Sequence, residues 1–344
     1  MLTKKQNLLE TIRGGKPDRI VNQFEYVALM FDPCTLEAMG KVQKGGSWLN
    51  GWGVRIEFPE NVPGMFPDTS PEHVVIKDIV DWKKYVKAPN TKFSDEAWQA
   101  CLDQVKDVDR NEVFIAPFVA PGIFEKIHYL MGMEEAMINF YEEPEAMHEL
   151  IEYLTDYELD VAKEICDHLH PDALFHHDDW GSQLSSFLSP AMFEEFIEPA
   201  YKKIYGYYKE HGVELIVHHS DSYGENLIPS MIRMGIDIWQ GIMSTNNIKA
   251  AIENYGGKIS FQGGIDNGKV DREDWTKEKV WAEAKNNIDT NYSGHYFIPA
   301  TVMGEPGSIY PGVYDAVSEY IAKVNAEKYG IKEEVKSANM MTQG

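Results

Sequence analysis

Two short stretches concentrate the residues able to do chemistry, His176-His177-Asp178-Asp179 and His218-His219-Ser220-Asp221. Each continues an apolar run, Ala173-Leu174-Phe175 in the first case and Leu215-Ile216-Val217 in the second. Side chains alternate on an extended chain, so His219 and Asp221 share one side while His218 points to the other. A histidine and a carboxylate two residues apart can hold one Zn²⁺ together, each donor ~2.0–2.2 Å from the ion. The same spacing also serves a His–Asp hydrogen bond without metal, or metal-free acid–base work. Asp178 and Asp179 are candidate general acid–base groups, because neighbouring carboxylates push one pKa up. Adjacent positions diverge, so one of them faces a cavity and the other caps a loop.

Glu198 joins the candidates. Pro199 interrupts the helical run Phe193, Phe196, Ile197, Ala200, Ile204, Tyr207, and an interior proline costs ~3 kcal/mol or more unless the helix bends or restarts. A carboxylate beside that break is a candidate for being aimed at a site. The plainer reading is a solvated glutamate in the acidic stretch Glu194 to Glu198.

The elements that must position these groups follow from hydrophobic period. Ile20–Phe24, Val113–Phe118, Ala173–His177, Leu215–His219, Ile236–Ile242, Ile259–Gln262 and Tyr296–Ile298 read as strands. Between most of them lie helical patterns: Phe124–Gly132, Met133–Cys166, Pro190–His211, Gly224–Met234, Ile248–Tyr255 and Trp275–Thr290, with a last helix near Val313–Tyr329. Such alternation makes a parallel sheet with right-handed crossovers, and the number of units predicts a single-domain (β/α)₈ TIM barrel over residues 1–331. Residues 31–85, rich in Gly, Pro and Trp, read as a lid-like excursion over the barrel mouth, and 332–344 as a flexible tail.

Catalytic groups of a parallel barrel lie where strands end. Those exits supply His176, His177, Trp180 and Gln183 after one strand and Tyr223 after another; Gln262 and Asp266 come from a third, Glu305 from the last. Trp48, Trp52, Trp180, Tyr223 and Tyr310 could line a pocket for an aromatic substrate or simply pack.

The 344 residues carry a formal net charge of −23, which argues against nucleic acid or an anionic membrane as partner. No run approaches the ~18–20 apolar residues of a membrane span, and the first residues lack a secretory h-region, so a cytoplasmic location is expected. Cys34, Cys101 and Cys166 fit neither a disulfide framework nor a cysteine-based zinc module. GxGxxG, P-loop, GxSxG and HExxH motifs are absent, as is the DxHxxG pattern of corrinoid carriers.

The chain resembles the uroporphyrinogen decarboxylase superfamily, and within it the corrinoid-dependent methyltransferases. The resemblance is carried by Asn7-Leu8-Leu9-Glu10-Thr11-Ile12-Arg13-Gly14-Gly15-Lys16-Pro17-Asp18-Arg19 at the start and by Phe124-Glu125 with Leu130-Met131-Gly132-Met133-Glu134-Glu135. Leu188-Ser189-Pro190, Pro199-Ala200-Tyr201-Lys202-Lys203-Ile204 and Gln262-Gly263-Gly264-Ile265-Asp266 add to it. The arginines with which true decarboxylases grip their tetrapyrrole are missing from Phe24–Met30, which disfavours porphyrinogen decarboxylation. Thiol-methylating relatives bind zinc through His-x-Cys and a distant Cys; His219 matches the His, but Asp221 stands at the Cys.

The branch with oxygen ligands is similar to methyltransferase I of ether O-demethylases, where two Glu and a His hold zinc. Glu198 and His219 have the matching separation of twenty residues, the first Glu falls on Gln183, and Asp221 substitutes for it, with Glu305 and Asp179 in reserve. The resemblance implies transfer of a methyl group from a methyl ether, of the aromatic kind if those rings line the pocket, to the Co(I) corrinoid of a separate protein. Zn²⁺ on Glu198, His219 and Asp221, or an acid at Asp178 or Asp179, would activate the ether oxygen. His176, His177, Trp180, Gln183, Tyr223, Gln262 and Asp266 would form the substrate wall. Uroporphyrinogen-type decarboxylation and corrinoid methyl transfer from methylamine, methanol or a thiol system stand as alternatives, and a homodimer is left open.

Overall fold

A computed structural model describes residues 1–60, 64–303 and 306–332. Seven strands form one parallel sheet, with β1 (Val27–Met30) paired to β5 (Phe114–Val119). The order continues through β6 (Ala173–His177), β7 (Leu215–His219), β8 (Ile238–Ile242), β9 (Ser260–Ile265) and β10 (Phe297–Thr301). Three short strands, β2 (Gly46–Leu49), β3 (Arg55–Phe58) and β4 (Phe66–Pro67), make a separate antiparallel sheet. The central strands are nearly continuous apolar runs because both faces are covered. Inside the curl, alternate residues Phe114, Ala116, Phe118, Ala173, Phe175, Leu215 and Val217 pack on one another. Their neighbours Ile115, Val119, Leu174 and Ile216 face the helices.

The expected closed eight-stranded barrel is corrected to a curled sheet that stays open between β10 and β1. The first strand lies at Val27–Met30 rather than at Ile20–Phe24, and a physical reason can be read from the seam. Gln23 sits at φ +52°, in the left-handed region, which breaks an extended run. The Asn325 side chain takes both backbone groups of Ile20, accepting from its N–H (2.9 Å) and donating to its carbonyl (2.9 Å), so they are spent before a sheet partner can use them. Side chains then seal the gap. Tyr26 Oη donates to Gln262 Oε1 (2.6 Å), and Gln23 donates to Tyr314 O (3.0 Å) while accepting from the Thr301 N–H (3.3 Å).

The helical expectations hold with two refinements. Met133–Cys166 divides at Glu143 into Met133–Glu142 and Pro144–Leu169, the proline taking the first turn, where no N–H bond is lost. The break foreseen at Pro199 is a π-helical turn, Phe193–Ile197, after which Glu198–Glu210 starts afresh with Pro199 in its first turn. In the 31–85 segment, helix Pro33–Met39 and the β2–β4 sheet lie beside the C-terminal ends of β5 and β6, where Met39, Ile56 and Phe66 share a cavity with Phe118 and His177. Glu305 and the tail 333–344 lie outside the described residues. Among the described residues, no helix is long and apolar enough to cross a membrane.

Candidate functional site

The parallel ladder sets the geometry. His176 pairs with His218 and His177 with His219 across β6 and β7. Because side chains alternate, each pair takes one face. His177 and His219 continue the inward rows that run through Ala173–Phe175 and Leu215–Val217, and their rings stack with centroids 4.4 Å apart. His176 and His218 turn outward into the helix layer, where Tyr205 Oη lies 2.9 Å from His176 Nδ1 and 2.6 Å from His218 Nδ1. His218 is also covered by Trp180, stacked 3.8 Å away, and its Nε2 reaches Asp178 O at 3.1 Å.

Asp179 completes an inward cluster. Its Oδ1 lies 3.7 Å from His219 Nε2 and its Oδ2 3.9 Å from His177 Nε2, and one donor atom from each of the three residues falls within 4.8 Å of the others. Two imidazoles and a carboxylate are a complete protein donor set for a catalytic zinc that keeps one position open. Ligands on bonds of ~2.0–2.2 Å stand roughly 3.4 Å apart in a tetrahedron, so the cluster fits after a small contraction.

The orientation of the His219 ring is fixed by Gln240. Gln240 Nε2 donates to Met303 O (2.9 Å), so its Oε1 is the acceptor that faces His219 Nδ1 at 2.5 Å. The proton therefore sits on Nδ1, and Nε2 presents a lone pair toward Asp179, the arrangement in which a second partner orients a metal-binding imidazole. Gly241 makes this position of Gln240 attainable. At φ +97° in the β8 bulge, it has backbone so close to Ser220 that a Cβ would lie 2.7 Å from Ser220 O.

Charge accumulates here. Glu125 Oε2 stands 3.4 Å from His177 Nε2, and the Asp221 N–H donates to Asp179 Oδ1 (2.9 Å). Burial pushes the Glu125 carboxyl up, and burial with the Asp179 charge pushes Asp221 up to about 8. Burial opposes a charge on His177, yet Glu125, Asp179 and Asp221 outweigh it and lift the ring to about 10. His219 moves the other way, to about 4, through burial and the neighbouring His177. Among the described residues no lysine or arginine pairs with Glu125, Asp179 or Asp221.

Beside the cluster is a cavity of about 190 Å³, lined mainly by apolar and aromatic groups that include Ile56, Phe66, Phe118 and Tyr129, with Glu125 and His177 at its polar end. Its described lining contains no lysine or arginine.

Other sequence-chosen residues go elsewhere. Glu198 is not brought to the cluster: its carboxylate receives Arg233 Nε (2.9 Å) and Nη2 (2.7 Å), with Lys202 Nζ at 2.7 Å. Asp178 is a tertiary cap, accepting from Phe124 N (3.0 Å), Glu125 N (2.8 Å), Trp180 Nε1 (2.8 Å) and Tyr201 Oη (2.5 Å). It thereby fixes the first turn of helix Ile123–Met131, which carries Glu125. His176 and Trp180 belong to the outer packing rather than a substrate wall, since alternation turns them from the cavity. Gln183 is exposed, and Tyr223 is bonded to Glu225 (2.9 Å). Gln262 is the seam residue described above, and Asp266 caps the short helix Asn267–Val270. Trp52 packs on Tyr157, and Trp48 Nε1 donates to Met39 O (2.9 Å).

Sequence reasoning did not single out Glu125, Tyr129 or Gln240, and it placed His177 with the substrate wall, whereas the structure puts it in the His/His/Asp cluster that could hold a metal. A signal for Glu125 was present, because Glu125 and Lys126 are charged residues that fall among the apolar Ile123, Phe124 and Ile127 at the start of Ile123–Met131.

A family model described as uroporphyrinogen decarboxylase (URO-D) matches residues 49–321. The chain belongs to that family. As a member of the uroporphyrinogen decarboxylase family, it shares its fold with a methyltransferase from Methanosarcina mazei, at a TM-score of 0.61 and 13% identity over 96% of this chain and 100% of that one. A D-psicose 3-epimerase aligns at a TM-score of 0.38 and 10% identity, over 70% of this chain and 86% of that one. At that level the likeness carries no argument. No curated protein sequence matches this chain.

Proposed function

We propose that this uroporphyrinogen decarboxylase family member is a metal-dependent methyltransferase, passing a methyl group from a small donor to the Co(I) corrinoid of a partner protein. The observation that carries the reading is the cluster of His177, His219 and Asp179, with Glu125 against His177 and, among the described residues, no lysine or arginine paired with these carboxylates, beside an apolar cavity. The donor set of two imidazoles and a carboxylate suits zinc. When bound, zinc would act as a Lewis acid on the heteroatom that gives up the methyl group.

The chain's own residues supply the rest. Gln240 orients His219, and the Asp221 N–H orients Asp179. Phe66, Phe118 and Tyr129 line the cavity beside the cluster with apolar and aromatic surface. A methyl ether with an aromatic body suits that lining, whereas methylamine, methanol and thiol donors make the same demand on the metal with less apolar surface to fill the cavity. Decarboxylation of a porphyrinogen is the second reading, favoured by the family itself. Against it, a polycarboxylate needs cationic partners, and the cavity offers the Glu125 carboxylate instead.

The test adds purified protein, zinc-loaded or chelator-stripped, to reduced corrinoid protein with methoxylated aromatics, methylamines, methanol or methyl thioethers, and follows the Co(I) absorbance. Loss of Co(I) with one donor class, abolished by chelation and restored by zinc, is the expected result. Persistence of Co(I) with every class, together with decarboxylation of a porphyrinogen, would move the assignment to the second reading.

A further inference from the structure

Asn50 opens the turn that joins β2 to β3, is only 8% exposed, and lines the cavity beside the cluster. Its Oδ1 accepts from the backbone N–H groups of Trp52 (3.0 Å) and Val54 (3.0 Å), which fixes which end of the amide is the oxygen. The turn is anchored on helix Pro33–Met39: the Gly51 N–H donates to Ala38 O (3.0 Å), and a Cβ on Gly51 would lie 2.5 Å from Glu37 O. The nitrogen end of the amide is left over. Among the described residues Nδ2 meets no acceptor, and it is not sealed in by protein atoms, so its donors open on the cavity that Asn50 lines. An aspartate would hold the same turn through the same two N–H groups. What the asparagine adds is a donor, and a buried donor without a partner is costly unless something outside the chain accepts from it.

We infer that Asn50 is a substrate-binding residue whose Nδ2 donates to a neutral acceptor oxygen, carbonyl or ether, on a small and otherwise apolar molecule held in this cavity. The inference rests on the proposed reading in placing the substrate here, and deepens it by naming what the substrate must carry; whether a methyl group moves does not enter it. Ile56, Phe66 and Phe118 take the apolar body. An anion is disfavoured, because the described lining offers no lysine or arginine to pair with a buried charge. A site built to hydrogen-bond one substrate atom discriminates against the analogue lacking it, since the protein group is then left buried and unpaired.

The experiment is equilibrium dialysis of the full chain against two matched pairs and an anion: acetophenone with 2-phenylpropene, anisole with ethylbenzene, and benzoate. Within each pair the shape is kept and the oxygen is replaced by carbon. The oxygen-bearing member is expected to bind at least about fivefold more tightly than its partner, and benzoate more weakly than either oxygen-bearing probe. Asn50→Asp keeps the acceptor that holds the turn and removes the donor, so each pair should come within about twofold. If Asn50→Asp does not fold, the side-chain amide resonances of Asn50 in the wild-type protein decide: they should shift with acetophenone and stay in place with 2-phenylpropene. Equal affinities within the pairs, no binding by any probe, tightest binding of benzoate, or a preference retained in folded Asn50→Asp would overturn the inference. Asn50-dependent binding with Co(I) persisting for every donor class would leave this inference standing and remove the methyl-transfer reading.

Discussion

His177 and His219 are direct register partners on adjacent parallel strands, and their rings stack at 4.4 Å with 29° between planes. Neither lies near the other in sequence. Only the ladder between β6 and β7 makes them one cluster, with Asp179 two residues beyond His177 as the third group that could hold a metal ion.

The first prediction separates this cluster from the ligand set suggested by spacing. His177→Ala, Asp179→Asn and His219→Ala should each weaken zinc binding by tenfold or more, measured by competition with a chromophoric chelator and by bound-metal analysis. Glu198→Gln should leave zinc binding unchanged, because its carboxylate is held by Arg233 and Lys202. The reverse pattern would return the site to Glu198.

Gln240 should matter through orientation alone. Gln240→Ala removes the acceptor that keeps the proton on His219 Nδ1, and loss of such a partner typically costs 10–100-fold in metal affinity. Zinc competition on a variant with an unaltered circular dichroism spectrum checks this; an unchanged Kd would deny Gln240 the role.

Asp178 is expected to govern stability rather than metal binding. Asp178→Asn replaces one acceptor oxygen with a donor and leaves part of the four-donor set around it unpaired, at a cost of about 1–3 kcal/mol. Gly122→Ala should act on the same joint, since a Cβ there would lie 2.3 Å from Tyr201 Oη and 2.4 Å from Asp178 Cβ, costing about 1–3 kcal/mol. Urea unfolding reads both changes, with zinc stoichiometry retained in Asp178→Asn.

The Glu198 ion cluster yields a pH prediction. Arg233 and Lys202 outweigh burial and hold the Glu198 carboxyl at about 2, below the ~4.3 of an unfolded glutamate. A depressed folded value means that the stabilisation is fully present above the unfolded value and is lost as pH falls through about 2. Glu198→Gln should therefore lower Tm at neutral pH and narrow the gap to wild type between about pH 4.5 and 2. A gap that stays constant across that window would show that the ion pairs contribute nothing.

Much of this was legible in the chain. Six of the seven apolar runs separated by helical periods became strands of a parallel α/β sheet, and the matched His-His-x-Asp and His-His-Ser-Asp strand ends marked the candidate site. Alternation along one strand correctly separates His218 from His219, because the two-residue period is a local property of the backbone. What lay beyond local geometry had to come from the tertiary structure. Register between β6 and β7 joined His177 to His219, and a distant helix delivered Glu125. Arg233 claimed Glu198, and Asn325 spent the backbone groups of Ile20 that a closed barrel would need. Sequence spacing specifies which side chains share a face, whereas pairing between elements far apart in the chain depends on the packing of all of them together.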